Sequence, residues 1–152
     1  MRTVEVVAGI LQHEGEILCA RRGPHEVAYL DRKWEFPGGK LEAGESHAAA
    51  LARELWEELG IRVTVGERVG TVEHDYPGLR VVLHAYRCAF VHPCDRSHVQ
   101  LREHMAFCWL PPAQLAQVDG EWAAADVPVV EALRDAGPPR GDQGFRDAAP
   151  SA

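Results

Sequence analysis

The sequence is short of the features that would mark an oxidised, membrane-spanning or nucleic-acid-tracking protein. Only four cysteines occur in 152 residues, Cys19, Cys88, Cys94 and Cys108, and no two form a CxxC pair. That excludes a dense disulfide framework and paired zinc knuckles, so the thiols read as free packing residues of a cytoplasmic chain. No apolar run approaches the length of a bilayer span and no signal-peptide pattern is present, so no membrane partner is expected. Basic residues are in deficit, 16 against 23 acidic for a net charge of −7. A partner gripped through its phosphate backbone normally meets a basic face, so nucleic acid is not expected either. A small anion stays open if metal ions bridge the charges. No internal repeat is evident.

With 46% hydrophobic and 26% charged residues, the chain is long enough for one ordinary domain with a real core, monomeric or homodimeric. Thr3 to Gln12 is rich in Val and Ile, and Ile17 to Ala20 follows a Gly-containing turn, which predicts two strands. Arg21 to Lys33 is polar and holds Gly23 and Pro24, marking a loop into a short extended Trp34 to Pro37. Arg62 to Tyr76 and Leu79 to Val91 flank Pro77-Gly78 as a hairpin. Pro93 to Arg102 is a polar loop, Met105 to Leu110 returns to strand character, and Pro111 to Leu115 opens a helical turn. Asp126 is placed as the N-cap of a helix over Val127 to Asp135, with Gly137 as its stop. A single domain over 1–136 is expected, followed by a tail over 137–152 too poor in apolar periodicity to order. Cys88, His92, Cys94 and His98 share even spacing and could face one side of a strand as metal ligands. Pro93 should end that strand and the spacing is not that of zinc knuckles, so this is the weaker metal site.

The stronger one lies on the helix predicted from Ser46 to Leu59. At about 100° per residue, Ala48, Leu51, Ala52, Leu55 and Leu59 form an apolar stripe facing the core. Glu54, Glu57 and Glu58 project together from another face at i, i+3 and i+4. Like charges at that spacing repel by a few tenths of a kcal/mol per pair, so the trio makes most sense around a cation. Carboxylates without His or Cys suit hard ions, and the alternating acids of a calcium loop are missing, which favours Mg²⁺, with Mn²⁺ also allowed. Mg²⁺ commonly completes its shell with substrate phosphates, so a phosphorylated substrate is anticipated.

Gly39, Glu45, Arg53, Glu54, Leu55, Glu57, Glu58, Gly60 and Ile61 fill every fixed place of G-x(5)-E-x(7)-R-E-U-x-E-E-x-G-U, where U is a bulky aliphatic residue. Nine positions in one register are a highly specific motif, and the stretch resembles the Nudix box. The preceding Trp34-Glu35-Phe36-Pro37-Gly38-Gly39-Lys40 resembles the MutT-type branch and the related CTP pyrophosphohydrolases. The resemblance covers Met1 to about Ala136. It implies an α/β fold, a mixed sheet sandwiched between helices, and hydrolysis of a nucleoside diphosphate linked to a further group. Within that class it implies a Mg²⁺-dependent enzyme converting nucleoside triphosphates to monophosphate and pyrophosphate in nucleotide-pool sanitation, on 8-oxo-dGTP or (d)CTP-type and modified nucleotides. ADP-ribose or another nucleoside diphosphate derivative is an alternative substrate. A non-catalytic nucleotide-binding regulator would be expected to lose box glutamates, and all are present.

By resemblance, the Gly38 carbonyl and the carboxylates of Glu54, Glu57 and Glu58 hold the metal. Glu54 is the first candidate for general base, oriented by Arg53, although Glu57 could share the task. Glu45 braces the loop, through Arg53, or is a helix-start acid favoured by the dipole. Glu103 aligns with an acid outside the box that serves relatives as a further base or metal ligand. Arg80 and Arg21 or Arg22 lie where relatives place phosphate-contacting arginines, Lys40 of the Trp34–Lys40 run is a further substrate-binding candidate, and Phe36 could wall the base. Asp126 stands where relatives that prefer oxidised guanine place Asn. An ionised Asp only accepts hydrogen bonds, which favours a base offering N–H groups. Cytosine offers its exocyclic amine, and guanine also offers N–H donors. Helix capping alone would be the plainer role for Asp126.

Overall fold

The computed structural model describes residues 1–136, so the tail anticipated over 137–152 lies outside the described residues. Seven strands form one mixed sheet: β1 (Arg2–His13), β2 (Glu16–Arg22), β3 (Trp34–Glu35), β4 (Gly38–Lys40), β5 (Val63–Tyr76), β6 (Leu79–Phe90) and β7 (His104–Leu110). The order is β3-β2-β1-β6-β5, with β4 against β1 and β7 against β2. β1 and β6 run parallel from Arg2↔Leu79 to Leu11↔Cys88; β5 and β6 form the antiparallel hairpin predicted around Pro77-Gly78. The opposite edge of β1 is shared. Val6 to Ala8 pair with β4, and Gln12 and His13 pair with β2. The sheet therefore opens between β4 and the β2–β3–β7 lobe.

Alternation along β1 sends Val7 and Leu11 to one face and Ala8 and Ile10 to the other. The first face packs under α1 (His47–Leu59) with Leu51, Leu55, Leu59, Ile61 and Cys88. The second packs under α2 (Val127–Asp135) with Phe36, Leu83, Val129, Val130 and Leu133. The helix–sheet–helix sandwich expected from the sequence follows. Among the described residues no helix is long and apolar enough to cross a membrane.

α1 begins where Ser46 accepts a hydrogen bond from Ala49 N–H at 3.1 Å. It ends at Gly60, whose φ of 69° is the left-handed cap glycine favours. Leu51, Leu55 and Leu59 are fully buried, as anticipated. Burying each such side chain is worth about 1.5–3 kcal/mol. Ala48 is exposed and Ala50 is buried in its place. The i, i+4 row through 59, 55 and 51 continues toward 47, so the first turn slants away from residue 48.

Cys88, His92, Cys94 and His98 do not converge. The Cys88 thiol is fully buried under α1 and donates to the Tyr86 carbonyl at 3.7 Å. His98 is tied into a capping box with Asp95.

Candidate active site

The box residues come together around Arg53. Its Nε and Nη2 donate to Glu45 at 2.7 and 2.9 Å. Nη1 donates to Glu54 at 3.0 Å and Glu57 at 3.1 Å, and Nη2 also reaches the Lys40 carbonyl at 3.2 Å. One guanidinium thus fixes the helix to the loop ahead of it. That charge-assisted fork, with the Glu42 backbone N–H, holds the Glu45 carboxyl down at about 2. The brace anticipated between Glu45 and Arg53 is present.

The three helix carboxylates differ in environment. Glu57 is half exposed, whereas Glu54 is 17% exposed at its side chain. Burial raises the Glu54 carboxyl above its ordinary range; Arg53 opposes this, and the charges of Glu57 and Glu103 add to it. Glu58 is pushed up to about 8 by burial and by the charges of Glu35, Glu54 and Glu103, against one hydrogen bond from Gly38 N–H at 3.3 Å. Glu103 is exposed in the loop before β7, yet its charge acts on both Glu54 and Glu58. Four carboxylates therefore crowd one place, partly out of water. A divalent cation removes that mutual repulsion, and hard oxygen donors suit Mg²⁺.

Gly38 and Gly39 let β4 pass between β1 and α1. A Cβ on Gly38 would fall on the Val7 carbonyl, and one on Gly39 would fall on the Glu54 carboxylate. Gly38→Ala is expected to lower stability by about 3 kcal/mol, at the upper end for overpacking, in urea titration. A loss below about 0.5 kcal/mol, the range of a neutral surface change, would contradict this close approach.

Beside β4 lies a cavity of about 400 Å³, lined by residues including Val4, Phe36, Lys40, Leu83 and Asp126. The chain from 119 to 126 lies along β3. Trp34 N–H donates to the Glu121 carbonyl at 2.8 Å, and Ala123 N–H donates to the Trp34 carbonyl at 2.8 Å. That track brings Asp126 to Phe36, whose N–H donates to Asp126 Oδ2 at 2.9 Å. Asp126 occupies the N-cap position but makes no side-chain cap hydrogen bond. Its carboxyl is buried and pushed up to about 8, chiefly by burial and then by Glu35. A shift in that direction favours the protonated carboxyl, which carries one donor and one acceptor. Beside the ionised Asp126 expected from the sequence this sets a protonated one, and a neutral acid offers the same two capacities as an Asn amide.

Arg22, Phe36, Lys40, Gly38 and Asp126 all line this cavity, and Arg21 and Arg80 do not. Arg21 donates to the Arg32 carbonyl at 2.9 Å and lies over the Trp34 ring. Arg80 alternates with the cavity-lining Val81 and pairs with Asp75 at 2.7 Å on the hairpin.

Glu35 is a residue for which the sequence suggested no role. It accepts from Arg22 Nε at 2.9 Å, and its Oε2 lies 2.9 Å from Nε2 of the buried His104. Its charge reaches both Glu58 and Asp126, so it joins the carboxylate cluster to the cavity. Its place in the Trp34–Lys40 run was the only available signal.

A model of the NUDIX domain matches residues 1–133. The CTP pyrophosphohydrolase of Escherichia coli (strain K12) is 42% identical over 134 residues, 88% of this chain and 93% of that protein. The 8-oxo-dGTP diphosphatase of Proteus vulgaris is 54% identical over 82 residues, 54% of this chain and 72% of that protein. The solution structure of the E. coli ORF135 protein superposes with a TM-score of 0.72 at 37% identity, covering 100% of this chain and 96% of that one. With Glu45, Glu54 and Glu57 gathered around Arg53 and the domain match spanning nearly all the described residues, the chain belongs to the NUDIX family of hydrolases.

Proposed function

We propose that this Nudix hydrolase is a Mg²⁺-dependent, cytoplasmic enzyme that cleaves nucleoside triphosphates to monophosphate and pyrophosphate, acting on (d)CTP-type or 8-oxo-dGTP-type nucleotides. The observation that carries this is the adjacency of the carboxylate cluster to a half-apolar cavity, joined through Glu35. Such a site accommodates phosphates at one end and a base at the other. The names of the relatives, CTP pyrophosphohydrolase and 8-oxo-dGTP diphosphatase, support the same substrate class.

Glu54, Glu57, Glu58 and the Gly38 carbonyl would hold Mg²⁺, with Glu103 at hand as a further carboxylate. When bound, the ion supplies charge neutralisation for the phosphates and a more acidic water. Glu54 takes the proton from the attacking water, with Arg53 fixing the direction of its carboxylate. The water oxygen bonds to phosphorus, the anhydride P–O bond breaks, and pyrophosphate leaves with that electron pair. Arg22 and Lys40 border the cavity as cations for the phosphate chain. Phe36 packs at 4.7 Å centroid separation against Trp122 and walls the base end. Asp126 reads the base edge with the carboxyl oxygen not engaged by Phe36.

Pyrophosphate and monophosphate release from CTP, dCTP, 8-oxo-dGTP, dGTP and ADP-ribose, with Mg²⁺ and with chelator, tests this directly. A marked preference for one triphosphate is expected. Equal, slow cleavage of all triphosphates with fast cleavage of ADP-ribose would overturn it.

Asp126 also makes a pH prediction. Its proton is retained below about 8 and lost above it. The wild-type ratio of kcat/KM between dCTP and 8-oxo-dGTP should therefore shift between about pH 6 and about pH 9, because ionisation removes the donor. Asp126→Asn should hold that ratio constant. Identical pH dependence in both proteins would show that Asp126 does not read the base.

A further inference from the structure

Three side chains from three elements converge on the α1 face of the sheet, apart from the box carboxylates. Glu5 projects from β1, His84 from β6 and His47 from the first turn of α1, and their ligand atoms lie within 4.8 Å of one another. The register Val7↔His84 puts His84 one pleat along from Glu5 on the same face. His84 Nε2 is 2.8 Å from Glu5 Oε1, and the two imidazoles stand 4.3 Å apart by centroid.

Each ring's second nitrogen meets a hydroxyl. His84 Nδ1 is 3.1 Å from Thr71 Oγ1, and His47 Nδ1 is 2.7 Å from Tyr86 Oη. The outer hydroxyls fix ring orientation, and Nε2 is the nitrogen each ring would offer a common ligand, that of His84 in place of its contact with Glu5. In metal-bound histidines the second ring nitrogen is likewise held by a hydrogen-bond partner, more often a carboxylate, carbonyl or water than a hydroxyl. Two imidazoles and a carboxylate suit Zn²⁺ and its transition-metal neighbours, whereas Mg²⁺ prefers oxygen alone. Zinc holds such nitrogen and oxygen ligands at about 2.0–2.2 Å, and the three ligand atoms already lie within 4.8 Å of one another. Glu5 is more than half exposed at its side chain, which gives the ion a route in. Burial, then the neighbouring His84 and Arg68, hold His47 below its ordinary pKa, and Glu5 opposes them. Arg68 also donates to Tyr86 Oη at 3.1 Å. Its charge opposes a cation and the Glu5 carboxylate offsets it.

We propose that Glu5, His47 and His84 form an accessory transition-metal site of the Zn²⁺ class, distinct from the catalytic carboxylates, which pins the first turn of α1 to the sheet. The ion replaces the proton shared between His84 and Glu5. His47 lies two residues beyond Glu45, so occupancy stiffens the loop that holds Arg53.

The test uses the full chain in excess Mg²⁺, with Co²⁺ as spectroscopic probe and Zn²⁺ as stabiliser. One equivalent of Co²⁺ should bind with the visible spectrum of a nitrogen and oxygen site and without a thiolate charge-transfer band. Glu5→Gln and His47→Gln should each weaken it by at least about tenfold, and Tyr86→Phe by about tenfold. Glu58→Gln should leave it unchanged. Zn²⁺ should raise the Tm of the wild type and leave that of His47→Gln unmoved. Glu5→Gln alters an exposed side chain and keeps the test valid if a histidine variant folds poorly. Equal Co²⁺ affinity in Glu5→Gln and wild type, loss in Glu58→Gln instead, or a thiolate band would each overturn the proposal.

Discussion

A Glu54→Gln enzyme is expected to turn over about 10²- to 10⁴-fold more slowly than wild type, the usual contribution of a positioned general base. Folding should be unaffected. Burial penalises the ionised Glu54, so the neutral isostere removes a cost and the Tm should stay level or rise. Gln keeps an oxygen to accept from Arg53 and can still face the Gly39 backbone, so substrate affinity should change far less than kcat. Steady-state kinetics with urea denaturation separates these effects. A kcat within about threefold of wild type would move the base away from Glu54, since even weak acid–base catalysis exceeds that factor.

Arg53→Ala should combine a catalytic with a structural loss. The guanidinium serves Glu45, Glu54, Glu57 and the Lys40 carbonyl together. Its removal leaves partly buried acids uncompensated. With Arg53 23% exposed at its side chain, the loss is set at about 2 kcal/mol, below that of a fully buried pair. Because Arg53 acts through Glu54, kcat should fall by about 10²-fold with little change in KM. Arg53 also lowers the Glu54 carboxyl, so the acidic limb of the kcat profile should move to higher pH. A stability loss without that displacement would reduce Arg53 to a purely structural brace.

Much of the fold could be read from local pattern. The α1 helix, its Ser46 start and Gly60 stop, and the hairpin around Pro77-Gly78 depend on residues near in sequence. The box was legible for the same reason, since one helix and its loop supply nearly all its groups. What escaped depends on distant contacts. Glu35 meets His104 across 69 residues and Phe36 meets Asp126 across 90. No spacing rule encodes either. Asp126 carried a good capping signal, yet its carboxyl accepts from Phe36 N–H instead, and burial raises its pKa. Arg80 and Arg22 both sit near strand ends. Only the alternation of β6 against the cavity shows that one faces away.

The central claim is that the α1 carboxylates bind the divalent ion on which hydrolysis depends. Pyrophosphate release measured across a Mg²⁺ titration, for wild type and Glu57→Gln, tests it most directly, because Glu57 is exposed enough to be changed without disturbing the core. Wild type should be silent in chelator and recover with added Mg²⁺. Glu57→Gln should need at least about tenfold more Mg²⁺ and reach a turnover lower by orders of magnitude. Near-normal turnover of Glu57→Gln at limiting Mg²⁺ would contradict the assignment.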